Sequence, residues 1–251
     1  MNRVLCLAGF DPSCAAGIAR DLRTLEAWGI AADAVPTCWT VQIPTTFERA
    51  EPVAPRLIDD TLSLLTQRCM PAAVKVGLVA DVGTWNTLLP WLERFAEAGI
   101  PIVVDPVRGP SAGGFEVGEG CREVVATRAS SLGAILTPNV PELAWLTDET
   151  DEATAAQTLL THGASGVLVK GGHRSPTASD TDDDVFDCWF DNERQRTFHR
   201  PRLPEPRPRG TGCALSSLLT ALLAEGRAPA DAAREAGHAL WNLEWLAKGT
   251  P

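Results

Sequence analysis

The run Gly210-Thr211-Gly212-Cys213 opens directly into the Ala/Leu-rich stretch Ala214-Leu215-Ser216-Ser217. A glycine-rich turn that feeds a helix leaves several backbone N–H groups unpaired and pointing one way. The helix dipole adds partial positive charge there, so such a turn can cradle a phosphate or an oxyanion. The alternative is a glycine-containing loop ahead of a buried helix. The run is not a Walker A motif, because no Gly-Lys-Ser/Thr follows, and it lacks G-x-G-x-x-G spacing. Cys213 stands at the helix start, where the dipole can lower a thiol pKa from about 8.5 toward neutrality. It is either a general base or a small capping residue beside the amides.

Other residues could share in charge chemistry. Asp105 follows the apolar run Val103-Val104 and precedes Pro106-Val107; a carboxylate at a strand tip lies where open α/β sheets bind ligands, or it caps the next turn. Thr137-Pro138-Asn139-Val140-Pro141-Glu142 places Asn and Glu three apart, a pair that can hold hydrated Mg²⁺ or form a helix-start box. Lys170 leaves the apolar run Val167-Leu168-Val169 and precedes Gly171-Gly172-His173. It can meet a phosphate or be a surface lysine. In the run Ala8–Leu22, Gly9 and Gly17 are eight apart, which excludes a dinucleotide fingerprint. Asp21 can reach a sheet crevice or lie exposed in a first helical turn. His162, His173, His199 and His238 have no metal-ligand spacing, and the eight tryptophans read as core or interface, with Trp39 set apart by its place near Gln42.

The elements that must position these residues follow from periodicity. Apolar runs at Arg3 to Ala8, Ala31 to Cys38, Ala73 to Val76, Ile100 to Asp105, Ala134 to Leu136 and Gly166 to Lys170 read as strands. Between them, Ala16 to Trp28, Pro55 to Arg68, Thr84 to Glu97 and Glu152 to His162 carry apolar residues at helical spacing. Strands without polar alternation, separated by helices, imply a parallel sheet covered on both faces. Val185 to Phe190 and Arg194 to Phe198 bracket Asp191-Asn192-Glu193 as a β-hairpin. The acids Asp180, Asp182, Asp183 and Asp184 lack calcium-loop spacing and read as a solvated loop. The four prolines of Pro201 to Pro208 imply an extended connector, and a last amphipathic helix runs from Pro229 to Ala247. No repeat or composition break divides the 251 residues, so one α/β domain is expected.

Composition narrows the function. Charged side chains sum to −10, which disfavours nucleic-acid or anionic-membrane binding. The seven cysteines are odd in number and lack Cys-x-x-Cys spacing, which fits reduced thiols in the cytoplasm and neither a disulfide framework nor a zinc knuckle. No run approaches the roughly 18 apolar residues of a membrane helix, and the N-terminal apolar run is too short for a secretion signal. Tyrosine is absent, and the lysines are Lys75, Lys170 and Lys248 alone.

The segments AGFDPSCAAGIARDL, KVGLVAD, VVDPV, TPNVPE, and VLVKGGH followed by GTGCALSS resemble in type and order the hydroxymethylpyrimidine/phosphomethylpyrimidine kinases of thiamine biosynthesis, members of the ribokinase-like superfamily. The resemblance spans about Val4 to Leu223. It implies a three-layer sandwich with a central, mostly parallel sheet, helices on both faces and a small β-hairpin. It also implies ATP and Mg²⁺, a homodimer, and transfer of a phosphoryl group to 4-amino-5-hydroxymethyl-2-methylpyrimidine and then to its monophosphate. Carried over by position, Cys213 matches the base and Gly210, Thr211 and Gly212 the anion hole. Lys170 matches the phosphate lysine, with Thr137, Asn139 and Gly172 on the nucleotide side. Asp105 and Glu142 match the Mg²⁺ and phosphate region. Gly9, Asp21, Gln42, Leu78 and Val107 match the acceptor pocket.

The chain also departs from that pattern. Cys14 and Ala15 stand where the family usually has two glycines, Val107-Arg108-Gly109-Pro110-Ser111 replaces a Lys-Ser-Gly stretch, Pro208-Arg209 replaces Thr-His, and Leu78 stands for a frequent Met. These changes bear on acceptor choice and on the second phosphorylation. Two other functions compete: a pyridoxal kinase, and a kinase-like protein that binds a pyrimidine without phosphorylating it. Gln42 favours the pyrimidine, since its amide can donate to a ring nitrogen and accept from an exocyclic amine that pyridoxal lacks.

Overall fold

The computed structural model describes residues 2–109, 115–173, 184–201 and 209–242. Its elements in chain order are β1 (Arg3–Phe10), α1 (Gly17–Trp28), β2 (Ala31–Ile43), β3 (Thr46–Pro52), α2 (Pro55–Arg68), β4 (Ala73–Val76), α3 (Val82–Glu97), β5 (Ile102–Val104), α4 (Cys121–Glu123, continuing as π-helical turns over Val124–Ala129), β6 (Ile135–Leu136), α5 (Val140–Thr147), α6 (Glu152–Thr161), β7 (Gly166–Val169), β8 (Asp184–Phe190), β9 (Gln195–Pro201), α7 (Thr211–Ala224) and α8 (Pro229–Asn242).

The strands form one nine-stranded sheet in the order β3-β2-β1-β4-β5-β6-β7-β8-β9. From β2 to β7 every neighbouring pair is parallel. The edge pairs β2–β3, β7–β8 and β8–β9 are antiparallel. The two-residue side-chain period assigns each face its own helices. Leu5 and Leu7 of β1 enter a core with Ile58 and Leu62 of α2 and Leu88 of α3. Val4, Cys6 and Ala8, on the alternate positions, pack with Ile18 and Leu25 of α1 and Ala221 of α7. Val103, Ile135 and Leu168 of the central strands meet α7 and α8 through Leu218, Leu222 and Ala236. This is the expected three-layer arrangement. Chain order reverses at β1, between β2 and β4, which opens a crevice at the carboxyl ends of the parallel strands.

Several expectations shift. β2 runs on to Ile43, so Trp39 and Gln42 lie within the strand and not after it. β3 has no counterpart in the sequence reading, because Glu48, Arg49 and Glu51 give it an exposed, charged face that masks its strand character. The helical stretch over Cys121–Ala129 was likewise not expected. α3 starts at Val82, because the Asp81 carboxylate accepts the Thr84 N–H at 2.6 Å and caps the first turn. β9 extends to Pro201. Asp180, Asp182 and Asp183, the connector beyond Pro201 up to Pro208, and the expected helix beyond Asn242 lie outside the described residues.

Candidate active site

Loops after β1, β4, β5, β6 and β7 converge with the start of α7 on a cavity of about 360 Å³, a size that suits a small ligand. One wall is the N-terminus of α7. Gly210 caps it in the left-handed region (φ 73°), with no side chain occupying the first-turn amides. A side chain at 210 would collide with the Ala15 carbonyl, so the turn needs glycine for both reasons. Gly210, Thr211, Gly212 and Cys213 all line the cavity. The uncapped amides there can cradle an anion.

Beside Gly212 lies an ionic cluster built from three strand ends. The Lys170 ammonium donates to Asp105 Oδ1 at 2.6 Å and stands 3.5 Å from Glu142 Oε2. Thr137 Oγ1 donates to Asp105 at 3.2 Å. Burial alone would raise the Asp105 pKa, but the Lys170 and Lys75 charges and these hydrogen bonds hold it below the usual range. Burial holds Glu142 above that range; Lys170 opposes the rise and the Asp105 charge adds to it. Burial disfavours the Lys170 cation too, yet Asp105 and Glu142 keep it protonated. The Asn139–Glu142 pair forms the helix-start box. The Asn139 N–H donates to Glu142 at 2.7 Å and the Glu142 N–H to Asn139 Oδ1 at 2.8 Å, a full capping box, while both residues also line the cavity.

The cavity wall also carries Gly9, Gln42, Leu78 and Val107, with Phe47 from β3. The Gln42 amide has no hydrogen-bond partner among the described residues. Gly172 also lines the cavity. Two expected contacts are not there. Thr137 is fully buried behind Asp105 and is absent from the cavity wall, so it positions a carboxylate. Asp21 is also fully buried and off the wall. Its oxygens accept from Lys75 at 2.7 and 2.8 Å and from Ser217 Oγ at 2.9 Å. The wall residue is Lys75. Burial would discharge it, but the Asp21 charge holds it protonated. Asp21 projects from α1 into the space between α7 and the sheet, where β4 offers its one cation, and the ion pair draws it away from the cavity.

Cys213 also departs from expectation. Burial pushes its thiol up to about 11, against the lowering by Lys75 and a hydrogen bond from the Gly17 N–H. Desolvation by the protein packed around this partly buried residue outweighs the helix terminus. The first βα turn is held by Asp11, whose carboxylate accepts from the backbone of Ser13, Ala15 and Ala16 at 2.9, 3.2 and 2.9 Å. Within that turn Cys14 adopts φ 56°, a glycine-like conformation in a residue with a Cβ.

Sequence reasoning missed Lys75, Phe47 and Arg200 on the wall, and Arg209, singled out there only as a departure from the family pattern, lines it too. A signal existed for Lys75: a lysine inside the apolar strand Ala73-Val74-Lys75-Val76 needs a buried partner. Arg200 is held by Asp187 (Nε to Oδ2, 2.6 Å), which also accepts the Gly171 N–H at 2.7 Å. Among the described residues no group of three or more His, Cys, Asp or Glu could hold a metal, and no helix is long and apolar enough to cross a membrane.

An anion cradle at the sheet's crevice, flanked by a lysine–carboxylate cluster, defines a ribokinase-like phosphotransferase. The profile of the phosphomethylpyrimidine kinase family matches residues 11–243, and the chain belongs to that family. It is 31% identical over 238 residues to the hydroxymethylpyrimidine/phosphomethylpyrimidine kinase of Streptomyces coelicolor, covering 93% of this chain and 85% of that one. Among solved structures it is similar to the phosphomethylpyrimidine kinase of Clostridium difficile, with TM-score 0.76, 26% identity and coverage of 94% and 96%. It also shares the fold of a Staphylococcus aureus pyridoxal kinase solved with ADP, with TM-score 0.78, 24% identity and coverage of 94% and 85%.

Proposed function

We propose that the protein phosphorylates 4-amino-5-hydroxymethyl-2-methylpyrimidine and its monophosphate, with ATP as donor. The observation that carries this is the company in one cavity: the α7 cradle and the Lys170–Asp105–Glu142 cluster share its wall with Gln42, Leu78 and Val107. The cradle amides and Lys170 hold the phosphates, and the unpaired Gln42 amide reads the ring nitrogen and exocyclic amine. Val107 and Leu78 flank the ring. Phosphoryl transfer is largely positioning and charge stabilisation, which fixed amides and a buried lysine supply without reorganisation.

Asp105 and Glu142, with Asn139 beside them, offer oxygen donors only, and one lysine against two carboxylates leaves the cluster net negative. This fits a hydrated Mg²⁺ held by one or two carboxylates and the substrate phosphates. When bound, Mg²⁺ would neutralise phosphate charge. A cytoplasmic homodimer is part of the same reading; the exposed Trp39 and Ile43 of the β2–β3 ribbon offer an apolar surface to a second copy, which analytical ultracentrifugation tests.

The function is tested by incubation with Mg-ATP and, in turn, the hydroxymethylpyrimidine, its monophosphate and pyridoxal, with products resolved by mass. Phosphorylated pyrimidines are expected. Pyridoxal as the preferred acceptor would assign a vitamin B6 kinase. Binding of ATP or pyrimidine with no phosphorylated product would replace the enzyme with a binding protein.

A further inference from the structure

Four cationic side chains line the cavity among the described residues: Lys75, Lys170, Arg200 and Arg209. Three are already neutralised, Lys75 by Asp21 at 2.7 Å, Lys170 by Asp105 at 2.6 Å and Arg200 by Asp187 at 2.6 Å. Arg209 makes no hydrogen bond or ion pair with any described residue. It is half-buried, so its charge keeps some water until an anion arrives.

The two ends of the cradle give Arg209 its address. Gly212 is the donor end: a Cβ there would stand 3.3 Å from the Lys170 ammonium and 4.0 Å from Asp105 Oδ2. Gly210, next to Arg209, is the other end, packed against the Ala15 carbonyl and the Arg20 stem. That is the side of the β1–α1 turn, whose Ala16 and Gly17 line the cavity together with Gly9 of β1. Arg209 precedes Gly210, so its backbone enters the cradle at the end that faces the β1–α1 turn and not at the Gly212 end beside Lys170 and Asp105. An uncharged alcohol offers it nothing to neutralise. A phosphate monoester brings about −1.5 to −2 charges and three acceptor oxygens, which a guanidinium fork can meet bidentately.

We propose that Arg209 is a specificity residue for an acceptor that already carries a phosphate group, so that it favours the second phosphorylation over the first. This rests on the kinase reading above and assigns the acceptor-side anion to one residue.

The test measures affinity by calorimetry without ATP, for the hydroxymethylpyrimidine and for its monophosphate, and separately for ATP. The parent protein, Arg209→Ala and Arg209→Lys are compared. A charge-assisted contact predicts that the ratio of monophosphate to alcohol affinity falls about tenfold or more in Arg209→Ala. Arg209→Lys should recover part of it, and the kcat/KM ratio of the two acceptors should fall in parallel. An unchanged ratio overturns the proposal, and so does a fall in ATP affinity in its place, which would put Arg209 on the donor side. A parent protein that binds neither pyrimidine refutes the kinase reading itself. That result is distinguishable from failure of the present inference, in which the parent binds both and the arginine changes nothing.

Discussion

Replacing Cys213 with serine should leave turnover within about tenfold of the parent protein. Burial pushes the thiol up to about 11, so at pH 7 only about one molecule in 10⁴ carries the thiolate. A well-placed general base contributes roughly 10²–10⁴ while in its basic form. Multiplied by that fraction, the contribution of a Cys213 base shrinks to about one or below, and Cys213→Ser has little to lose. The cradle amides are a different matter. Gly212 stands where a Cβ would come within 3.3 Å of Lys170 Nζ, so Gly212→Ala puts a methyl group between the anion and its donors. Loss of one such donor costs about 10²–10³ in turnover elsewhere, and a loss of that order is expected. The assay is steady-state phosphorylation of the hydroxymethylpyrimidine across pH 6–9 for both variants, with melting curves to confirm folding. The reasoning is refuted if Cys213→Ser loses 10²-fold or more in kcat at normal KM for ATP and an ionisation disappears from its pH profile, since the thiol would then be the base despite its burial.

Gln42→Leu should shift acceptor preference from the hydroxymethylpyrimidine toward pyridoxal by about 1–3 kcal/mol, the cost of one unpaired buried polar group, read as the ratio of kcat/KM values; no shift would remove Gln42 from ring recognition. Cys14→Gly should raise stability by about 0.5–1 kcal/mol, because relief of the left-handed conformation at φ 56° exceeds the entropy glycine adds to the unfolded chain; a lower melting temperature would contradict this. Hydrogen bonds from Arg3, then Arg68, hold Asp33 below its ordinary value. A depressed folded-state pKa stabilises above the unfolded value near 3.8 and is lost as pH falls through the folded one. Asp33→Asn should therefore cost about 1 kcal/mol at pH 7, discounted for the partly exposed arginines, and progressively less as pH falls below 3.8, as measured by urea denaturation at each pH.

Local signals carried much of the architecture. The apolar runs of β1, β4, β5, β6 and β7 are buried on both faces, so their strand character is written in consecutive residues and their order implies the parallel sheet. The cradle was legible for the same reason: a glycine turn and the helix it opens are adjacent in sequence. Strand tips such as Asp105 and Lys170 could be placed near a ligand crevice from position alone. β3 was not legible, because its exposed charged residues gain strand structure only by pairing with β2, and Phe47 reached the cavity unseen with it.

What only the tertiary structure decided was which polar groups pair. Asp21 is one turn into α1, a place from which it could face water or ligand; the approach of β4 brings Lys75 within 2.7 Å, and in a space without water the ion pair overrides both. Thr137 is likewise claimed by Asp105. The state of Cys213 follows the same rule. Its position at a helix start is visible in the sequence and argues for a low pKa, but the desolvation that raises it depends on how α1, α7 and the sheet close around the sulfur. Chain order determined which residues stand at strand ends and helix starts, whereas pairing and water exclusion, which depend on three-dimensional proximity, determined the charge each one carries and whether it meets the cavity.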